Sequence, residues 1–211
     1  MVDHLFGYSP LSSLAWKRQE EYEVRIFDDL VELEAQLKLH TRKGLTARLV
    51  AGFCWEWSDP RPDGGLVKDV KIGGWARPWN RKPRDMWKNK GTPEPPGRHP
   101  YTIWATRPEG FGQVGCIYSA QGFEFDYVAV IFGSDLKWNP GTNAWLADLQ
   151  HNKDRVFHRG VRHDHALALE KLKNVYRVLC TRGMKGTYFY FLDAATRQYF
   201  ERMSPDHYGP A

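Results

Sequence analysis

The hydrophobic pattern of the first half of the chain predicts a strand, a helix and a second strand. Residues 22–27 and 47–55 are short apolar runs of the kind that form buried strands. Between them, leucines recur at helical spacing in a segment that Asp28 or Asp29 can cap and that extends to about His40. A strand, a helix and a strand in this order predict a right-handed crossover between parallel strands.

The second half of the chain continues this alternation. Its apolar runs predict strands at residues 114–118, 127–132 and 187–192, and helices at residues 164–182 and 194–203. Weaker patterns predict a strand at residues 101–105 and a short helix near residues 143–150. We therefore expect an α/β fold over residues 22–203, with a mostly parallel sheet flanked by helices.

Three segments lie outside this pattern. Residues 1–21 have no clear periodicity and are expected to form an arm or the end of a preceding segment, and residues 204–211 are expected to form a tail. Residues 56–100 hold eight prolines and four tryptophans, and only residues 66–72 could form a short strand. We expect a long loop excursion from the sheet there, and loops of this length are commonly functional.

The composition indicates one globular domain of a cytoplasmic protein. The 211 residues are 42% hydrophobic, and the mean hydropathy of -0.59 suits a soluble domain. No apolar run approaches the ~20 residues of a membrane span, and no signal-peptide pattern opens the chain. Cys54, Cys116 and Cys180 lie far apart in apolar segments, so they are expected to be reduced core residues.

The positive charge is concentrated in the loop excursion. The net charge is +5, but residues 68–99 alone hold nine Lys and Arg against three acidic residues. This leaves 21 Lys and Arg against 22 acidic residues in the rest of the chain. A basic stripe of this kind indicates a negatively charged partner.

Two short strings carry most of the information about function. Residues 119–125 are Ser-Ala-Gln-Gly-Phe-Glu-Phe and lie after a predicted strand, at its carboxyl end, where open α/β sheets present ligand groups. Residues 178–183 are Val-Leu-Cys-Thr-Arg-Gly, at the end of a predicted helix. The first string is similar to motif V of superfamily 1 helicases, and the second is similar to motif VI. The longer strings at 121–128 and 174–186 resemble the Schlafen-related (group 3) DNA/RNA helicase family, and the resemblance covers the carboxyl-terminal half best.

This resemblance implies a RecA-like fold and a nucleotide site. Arg182 would be the arginine finger that stabilises charge on the transferred phosphoryl group. The nucleotide contacts would be Gln121, Gly122, Glu124, Thr181 and Lys185. For Arg182, the alternative is that a cation at a helix end complements the negative end of the helix. For Lys185, the alternative is simple exposure to solvent.

The sequence lacks the phosphate cradle G-x-x-x-x-G-K-[ST] that holds ATP in such enzymes. Residues 128–132 followed by Asp135 look like a Walker B strand, but they predict no complete site without a cradle. The resemblance therefore implies the second of two RecA-like domains, with ATP and Mg²⁺ held mainly by an N-terminal RecA-like domain of the same polypeptide. The chain alone is expected to have no ATPase activity.

The basic, Trp-rich excursion is a second candidate site. Tryptophans interleaved with cations suit stacking on bases and neutralisation of phosphates in single-stranded DNA or RNA. The candidate residues are Trp75, Arg77, Trp79, Arg81, Lys82 and Arg84, with Ser119 as a further contact to the nucleic-acid backbone. The alternative is that the tryptophans anchor the loop onto the sheet while the charges face water.

Two other hypotheses compete with a helicase motor domain. The chain could be a free-standing nucleic-acid-binding module that keeps the fold without catalysis. A metal or nuclease site would draw on His151, His158, His163, Asp164 and His165, but their irregular spacing predicts no ligand set.

Overall fold

The computed structural model describes residues 2–8, 22–82, 104–162 and 164–203. The strands in this part of the chain are β1 (Glu23–Ile26), β2 (Ala47–Ala51), β3 (Val70–Ile72), β4 (Trp75–Arg77), β5 (Val114–Gly115), β6 (Phe125–Phe132), β7 (Leu136–Asn139), β8 (Ala144–Ala147) and β9 (Gly183–Phe191). The helices are α1 (Val2–Leu5), α2 (Leu30–Arg42), α3 (Ile117–Ala120), α4 (Arg155–Val161), α5 (His165–Cys180) and α6 (Ala194–Met203).

Five strands form one sheet in the order β1-β9-β6-β2-β5. Each neighbouring pair is parallel, so helices and loops return the chain to the same edge of the sheet before each strand. The predicted α/β class is confirmed, and the sheet flanked by helices is consistent with a RecA-like fold. Helix α6 has the predicted bounds, and α2 begins after the predicted cap Asp29, whose carboxylate accepts from the N–H of Glu32 at 3.1 Å.

The central strand β6 supplies both faces of the core because its side chains alternate. Val128, Val130 and Phe132 pack on one side with α5, α6 and the β7–β8 hairpin. Ala129 and Ile131 pack on the other side with α2 and the β3–β4 hairpin. All five side chains are at most 1% exposed, so β6 lies in the middle of a three-layer structure.

Two elements differ from the sequence predictions. The strand expected at residues 114–118 is wrong after Gly115, because Ile117–Ala120 forms the one-turn helix α3. The helix expected near residues 143–150 is also wrong: β7 and β8 form an antiparallel hairpin there. Its cross-strand pair Trp138 and Trp145 have ring centroids 5.6 Å apart, and aromatic pairs of this kind stabilise hairpins.

The two irregular segments are partly described. Residues 2–8 belong to the predicted arm, and here they pack on the core, with Phe6 fully buried and stacked 6.3 Å from Phe132. The excursion contains the β3–β4 hairpin, which is longer than the single strand predicted at residues 66–72. Of the strand predicted at residues 101–105, residues 101–103 lie outside the described residues, and Trp104 and Ala105 lie in a helical turn. Within the described ranges, no helix is both long and apolar enough to cross a bilayer.

Candidate nucleotide-facing site

The two strings identified in the sequence meet at the amino-terminal edge of the central strand pair. β6 begins at Phe125, and β9 begins at Gly183, directly after Arg182. Phe125 and Gly183 are partners in the sheet, and the N–H of Phe125 donates to the carbonyl of Arg182 at 2.8 Å. Parallel pairing therefore brings together two segments that lie far apart in the chain.

This location corrects the expectation that residues 119–125 lie at the carboxyl end of a strand. The short strand β5 ends at Gly115, and α3 starts to lead the chain back to the opposite edge. The N–H of Cys116 donates to Ser119 Oγ at 2.9 Å, which closes this turn locally. The return is required because β6 runs parallel to its neighbours and must start at their amino-terminal edge.

The guanidinium of Arg182 is held by both strings. Its Nε donates to the carbonyl of Val178 in the last turn of α5 at 3.0 Å, and its Nη1 donates to the carbonyl of Phe123 at 3.3 Å. Its Nη2 donates to Thr181 Oγ1 at 3.2 Å. An arginine has five N–H donors, so one N–H on each Nη is left for another acceptor. The bond to Val178 also means that the Arg182 side chain donates to a backbone carbonyl in the last turn of α5. This fits the alternative interpretation, in which Arg182 complements the negative end of the helix.

Three of the predicted nucleotide contacts lie on the exposed turn beside Arg182. Gln121, Gly122 and Glu124 are exposed, and the side chains of Gln121 and Glu124 make no hydrogen bond or ion pair within the described ranges. Gly122 has a φ of 88°, which favours glycine, and its backbone faces open space. The turn therefore presents free polar groups next to the half-buried Arg182.

Thr181 and Gly183 hold the position of Arg182. The hydroxyl of Thr181 donates to the carbonyls of Arg177 and Val178 at 3.0 and 3.1 Å, which caps α5. A Cβ on Gly183 would lie 2.1 Å from the carbonyl oxygen of Gly186, so a larger residue cannot occupy this place without moving the strand. The nucleotide-binding role of Thr181 stays a prediction.

Lys185 is engaged within the protein. Its ammonium lies 2.9 Å from Asp126 Oδ1, and the other carboxylate oxygen of Asp126 accepts from the N–H and the hydroxyl of Thr46 at 2.8 and 2.9 Å. The Lys185 ammonium, together with the Thr46 donors, lowers the pKa of Asp126 from its ordinary value of 3.8 to about 2. Lys185 thus joins β9 to β6, and Asp126 joins β6 to Thr46 just before β2. The phosphate contact of Lys185 stays a prediction.

The tryptophans predicted to bind nucleic acid are buried. Trp75 is 8% exposed and Trp79 is 1% exposed. Arg77 donates from Nε and Nη2 to the two carboxylate oxygens of Glu34 on α2 at 2.8 and 2.6 Å, and Trp75 Nε1 donates to the same carboxylate at 3.1 Å. These contacts favour the anchoring alternative, in which the hairpin is fixed to α2. Trp75 and Arg77 also line a cleft of about 470 Å³ with Tyr190.

The remaining predicted nucleic-acid contacts are also tied to the protein where the structure describes them. Arg81 Nη2 donates to the carbonyl of Gly64 at 3.2 Å, and Lys82 Nζ donates to the carbonyl of Trp57 at 3.0 Å. Ser119 is 4% exposed, and its hydroxyl donates to Asn80 Oδ1 at 2.9 Å. Arg84 lies outside the described residues. Nucleic-acid contact by any of these residues stays a prediction.

A buried polar network at the other edge of the sheet was not identified as such from the sequence. Asp135 is 1% exposed, and its carboxylate accepts from the hydroxyl of Tyr176 at 2.6 Å and from Asn152 Nδ2 at 2.9 Å. The Tyr176 hydroxyl in turn accepts from the N–H of Gly133 at 2.9 Å. Burial raises the pKa of Asp135. The carboxylate that looked like part of a Walker B strand thus anchors α5 to the end of β6.

The histidine-rich segment does not assemble into a metal site where it is described. His158 Nε2 lies 2.8 Å from the carbonyl of Asn152, and His151 is paired with Asp148 at 2.9 Å. His163 lies outside the described residues. Across the described part of the chain, no group of three or more His, Cys, Asp or Glu could hold a metal ion.

One protein-family model matches most of the chain. The model of the family described as "Schlafen group 3, DNA/RNA helicase domain" matches residues 1–193. The chain belongs to this family. The match extends over the amino-terminal half, where the sequence showed only a loose resemblance, and it includes the segment before β1.

A curated relative of this Schlafen group 3 domain is the "Uncharacterized protein YPL245W" of Saccharomyces cerevisiae. The two sequences are 29% identical over 106 residues, which is 49% of this chain and 23% of the yeast protein. The chain therefore corresponds to less than a quarter of that relative's length. No solved structure matches the chain.

Proposed function

We propose that this Schlafen group 3 domain is a motor domain of an ATP-dependent DNA or RNA helicase or translocase. It would act as the second RecA-like domain and close over ATP held by an N-terminal RecA-like domain of the same polypeptide. Arg182 would reach the terminal phosphate, while Gln121 and Glu124 would face the nucleotide from the adjacent turn.

The observation that carries this proposal is the junction between Arg182 and the turn at residues 121–124. A guanidinium that retains free N–H donors beside exposed polar groups suits recognition of phosphate and ribose. The bond to Phe123 orients the guanidinium before any ligand binds, and such preorganisation is what charge stabilisation in a transition state requires. Membership of a helicase-domain family supports the same function.

The residues present fit part of an ATP site. Arg182 offers a cation for a phosphate, and the exposed turn at Gly122 lets the backbone approach a ligand. The chain has neither a phosphate cradle nor, in the described ranges, a cluster of acidic ligands for Mg²⁺. Bound Mg²⁺ and ATP would supply the phosphoryl group and neutralise its charge, with the N-terminal domain contributing most of the contacts.

The test is to measure ATP hydrolysis by the chain alone and by a polypeptide that adds an N-terminal RecA-like domain containing a phosphate cradle. We expect no hydrolysis by the chain alone and hydrolysis by the longer polypeptide that increases with added DNA or RNA. If the longer polypeptide binds ATP and does not hydrolyse it with or without nucleic acid, the proposed motor function is wrong.

A second candidate is a nucleic-acid-binding module that lacks catalysis. The hydrogen bonds of Arg182 to Val178 and Thr181 favour it, because they satisfy the end of α5 without any nucleotide. The same assay separates the two functions, since the binding module would bind oligonucleotides and never hydrolyse ATP.

A further inference from the structure

A surface around α4 carries more positive charge than the surrounding chain. Residues 151–173 contain six Lys and Arg against three acidic residues. Arg155 and Arg159 lie one turn apart on α4, and Arg162 follows its end. The ammonium of Lys171 on α5 lies close to the same helix. A Cβ added at Gly160 would be 3.5 Å from Lys171 Nζ. We define the α4 surface as Tyr118, Lys153, Arg155, Arg159, Arg162 and Lys171.

The cations of the α4 surface are exposed and have no ion-pair partner in the described ranges. Asp154, next to Lys153 and Arg155 in the sequence, is 7% exposed and is already satisfied. Its Oδ1 accepts from the N–H groups of Val156 and Phe157 at 2.9 and 3.1 Å, and its Oδ2 accepts from the hydroxyl of Tyr118 at 2.6 Å. Asp154 therefore shapes the helix start and leaves the arginines free to bind an external anion.

An aromatic side chain borders these charges. Tyr118 is 46% exposed, and its ring makes an edge contact with Phe53 at 6.2 Å. The bond to Asp154 fixes the position of the Tyr118 ring relative to α4, and the N–H of Lys153 donates to the carbonyl of Phe53 at 2.8 Å. An exposed, oriented ring beside unpaired cations has the chemistry of a single-strand binding surface, in which bases stack and phosphates are neutralised.

We propose that the α4 surface binds single-stranded nucleic acid, with Arg155, Arg159 and Arg162 along the phosphates and Tyr118 against a base. This rests on the proposed function and deepens it by assigning the strand to a surface other than the Trp-rich excursion. An acidic protein segment fits the α4 surface less well, because it would neutralise the arginines and leave Tyr118 exposed.

The test measures fluorescence anisotropy of an oligothymidine and an oligouridine of about 16 nucleotides over a range of salt concentrations. The variant R155Q/R159Q/R162Q removes three charges from the α4 surface. The matched control K38Q/R42Q/K43Q removes three exposed charges from the end of α2. We expect the α4 variant to weaken binding roughly a hundredfold at ~0.1 M salt and to lower the salt slope by about 2, because each single-strand phosphate contact contributes ~0.7. The control should bind like the unmodified chain.

Tyr118 provides an independent variant that keeps every charge. Tyr118→Ala should weaken binding about tenfold without changing the salt slope, whereas Tyr118→Phe should retain most of the affinity because the ring remains. A loss seen with only one of the two oligonucleotides would assign the strand as DNA or RNA and would still support the proposal.

Several outcomes would overturn the α4 assignment. These are unchanged binding by R155Q/R159Q/R162Q, equal losses in the α2 control, tighter binding to a duplex than to a single strand, and binding of a polyglutamate peptide without binding of oligonucleotides. None of them affects the proposed motor function, because that function is measured as ATP hydrolysis dependent on Arg182. Absence of ATP hydrolysis by the unmodified two-domain polypeptide, with intact oligonucleotide binding, would instead contradict the motor function alone.

Discussion

Arg182 Nη1 donates a hydrogen bond to the carbonyl of Phe123 at 3.3 Å, which joins the end of α5 to the turn before β6. The two residues lie just before the adjacent parallel strands β6 and β9, and the N–H of Phe125 donates to the carbonyl of Arg182 at 2.8 Å. A shift of α5 along its axis would therefore move the guanidinium and the exposed turn together. The strings that resemble two separate helicase motifs form one structural unit in this fold.

Gly183 and Gly122 should differ in their tolerance of alanine. Gly183→Ala brings a Cβ to 2.1 Å from the Gly186 carbonyl, and this clash with backbone should cost about 3 kcal/mol or more. Gly122→Ala meets no neighbour, and its φ of 88° should cost only about 1–2 kcal/mol. Urea denaturation of both variants measures this difference. Equal losses of stability would mean that the close contact of Gly183 with Gly186 is absent in solution.

Tyr176→Phe should destabilise the fold by about 1–3 kcal/mol. The change removes the donor to Asp135 and leaves the N–H of Gly133 without its acceptor, both in a buried place. Tyr8→Phe is the matched control, because its hydroxyl makes one exposed bond of 3.3 Å, and it should change stability by less than ~0.5 kcal/mol. Chemical denaturation compares the two. A Tyr176→Phe variant as stable as the control would show that the network does not hold α5.

The ion pair between Lys185 and Asp126 should contribute stability that depends on pH. Because folding lowers the pKa of Asp126 from 3.8 to about 2, its carboxylate stabilises the native state above the unfolded value, and this contribution is lost as the pH falls through that interval. The difference in free energy of unfolding between the unmodified protein and Asp126→Asn should be constant above about pH 5 and should shrink below it. A difference that stays constant down to pH ~2 would contradict the pair.

A variant of Arg77 distinguishes the two possible roles of the loop excursion, which are anchoring to α2 and binding of nucleic acid. Its two bonds to Glu34 predict that Arg77→Gln lowers stability by about 1–2 kcal/mol, with a similar loss in Glu34→Gln. If Arg77 only anchors the hairpin, oligonucleotide affinity and its salt slope should stay unchanged in the folded variant. An Arg77→Gln variant that has normal thermal stability and binds oligonucleotides more weakly would show instead that Arg77 contacts nucleic acid.

The parallel sheet could be predicted from the sequence because its signals are local. Leucines at helical spacing and Asp29 define α2, and the apolar runs of β6 and β9 have no other good location than a buried sheet. The β7–β8 hairpin could not be predicted in this way, because its stability comes from contacts of Trp138 and Trp145 with distant rings such as Tyr199.

The candidate site was only partly predictable for a similar reason. Arg182 and Glu124 could be found from their neighbours in sequence, but their meeting depends on the pairing of Phe125 with Gly183. The anchoring of Trp75 by Glu34 depends on a contact between a hairpin and a helix that precedes it by about 40 residues, and no local pattern encodes such a contact. The arginines on α4 are exposed, and Asp154 is engaged by Tyr118, a residue 36 positions away, which no local pattern encodes.

The most direct test of the proposed motor function measures ATP binding and hydrolysis by the Arg182→Ala variant of a polypeptide that joins the two proposed RecA-like domains. We predict that kcat falls by ~10³–10⁵ while the Kd for ATP changes little, because the arginine acts mainly on charge that develops in the transition state. Arg182→Lys should not restore the rate, since an ammonium cannot reproduce the fork of the guanidinium. Arg177→Ala, on the same helix and paired with Asp3, should keep the original kcat. Unchanged hydrolysis by a folded Arg182→Ala variant would contradict the role of Arg182 as the arginine finger.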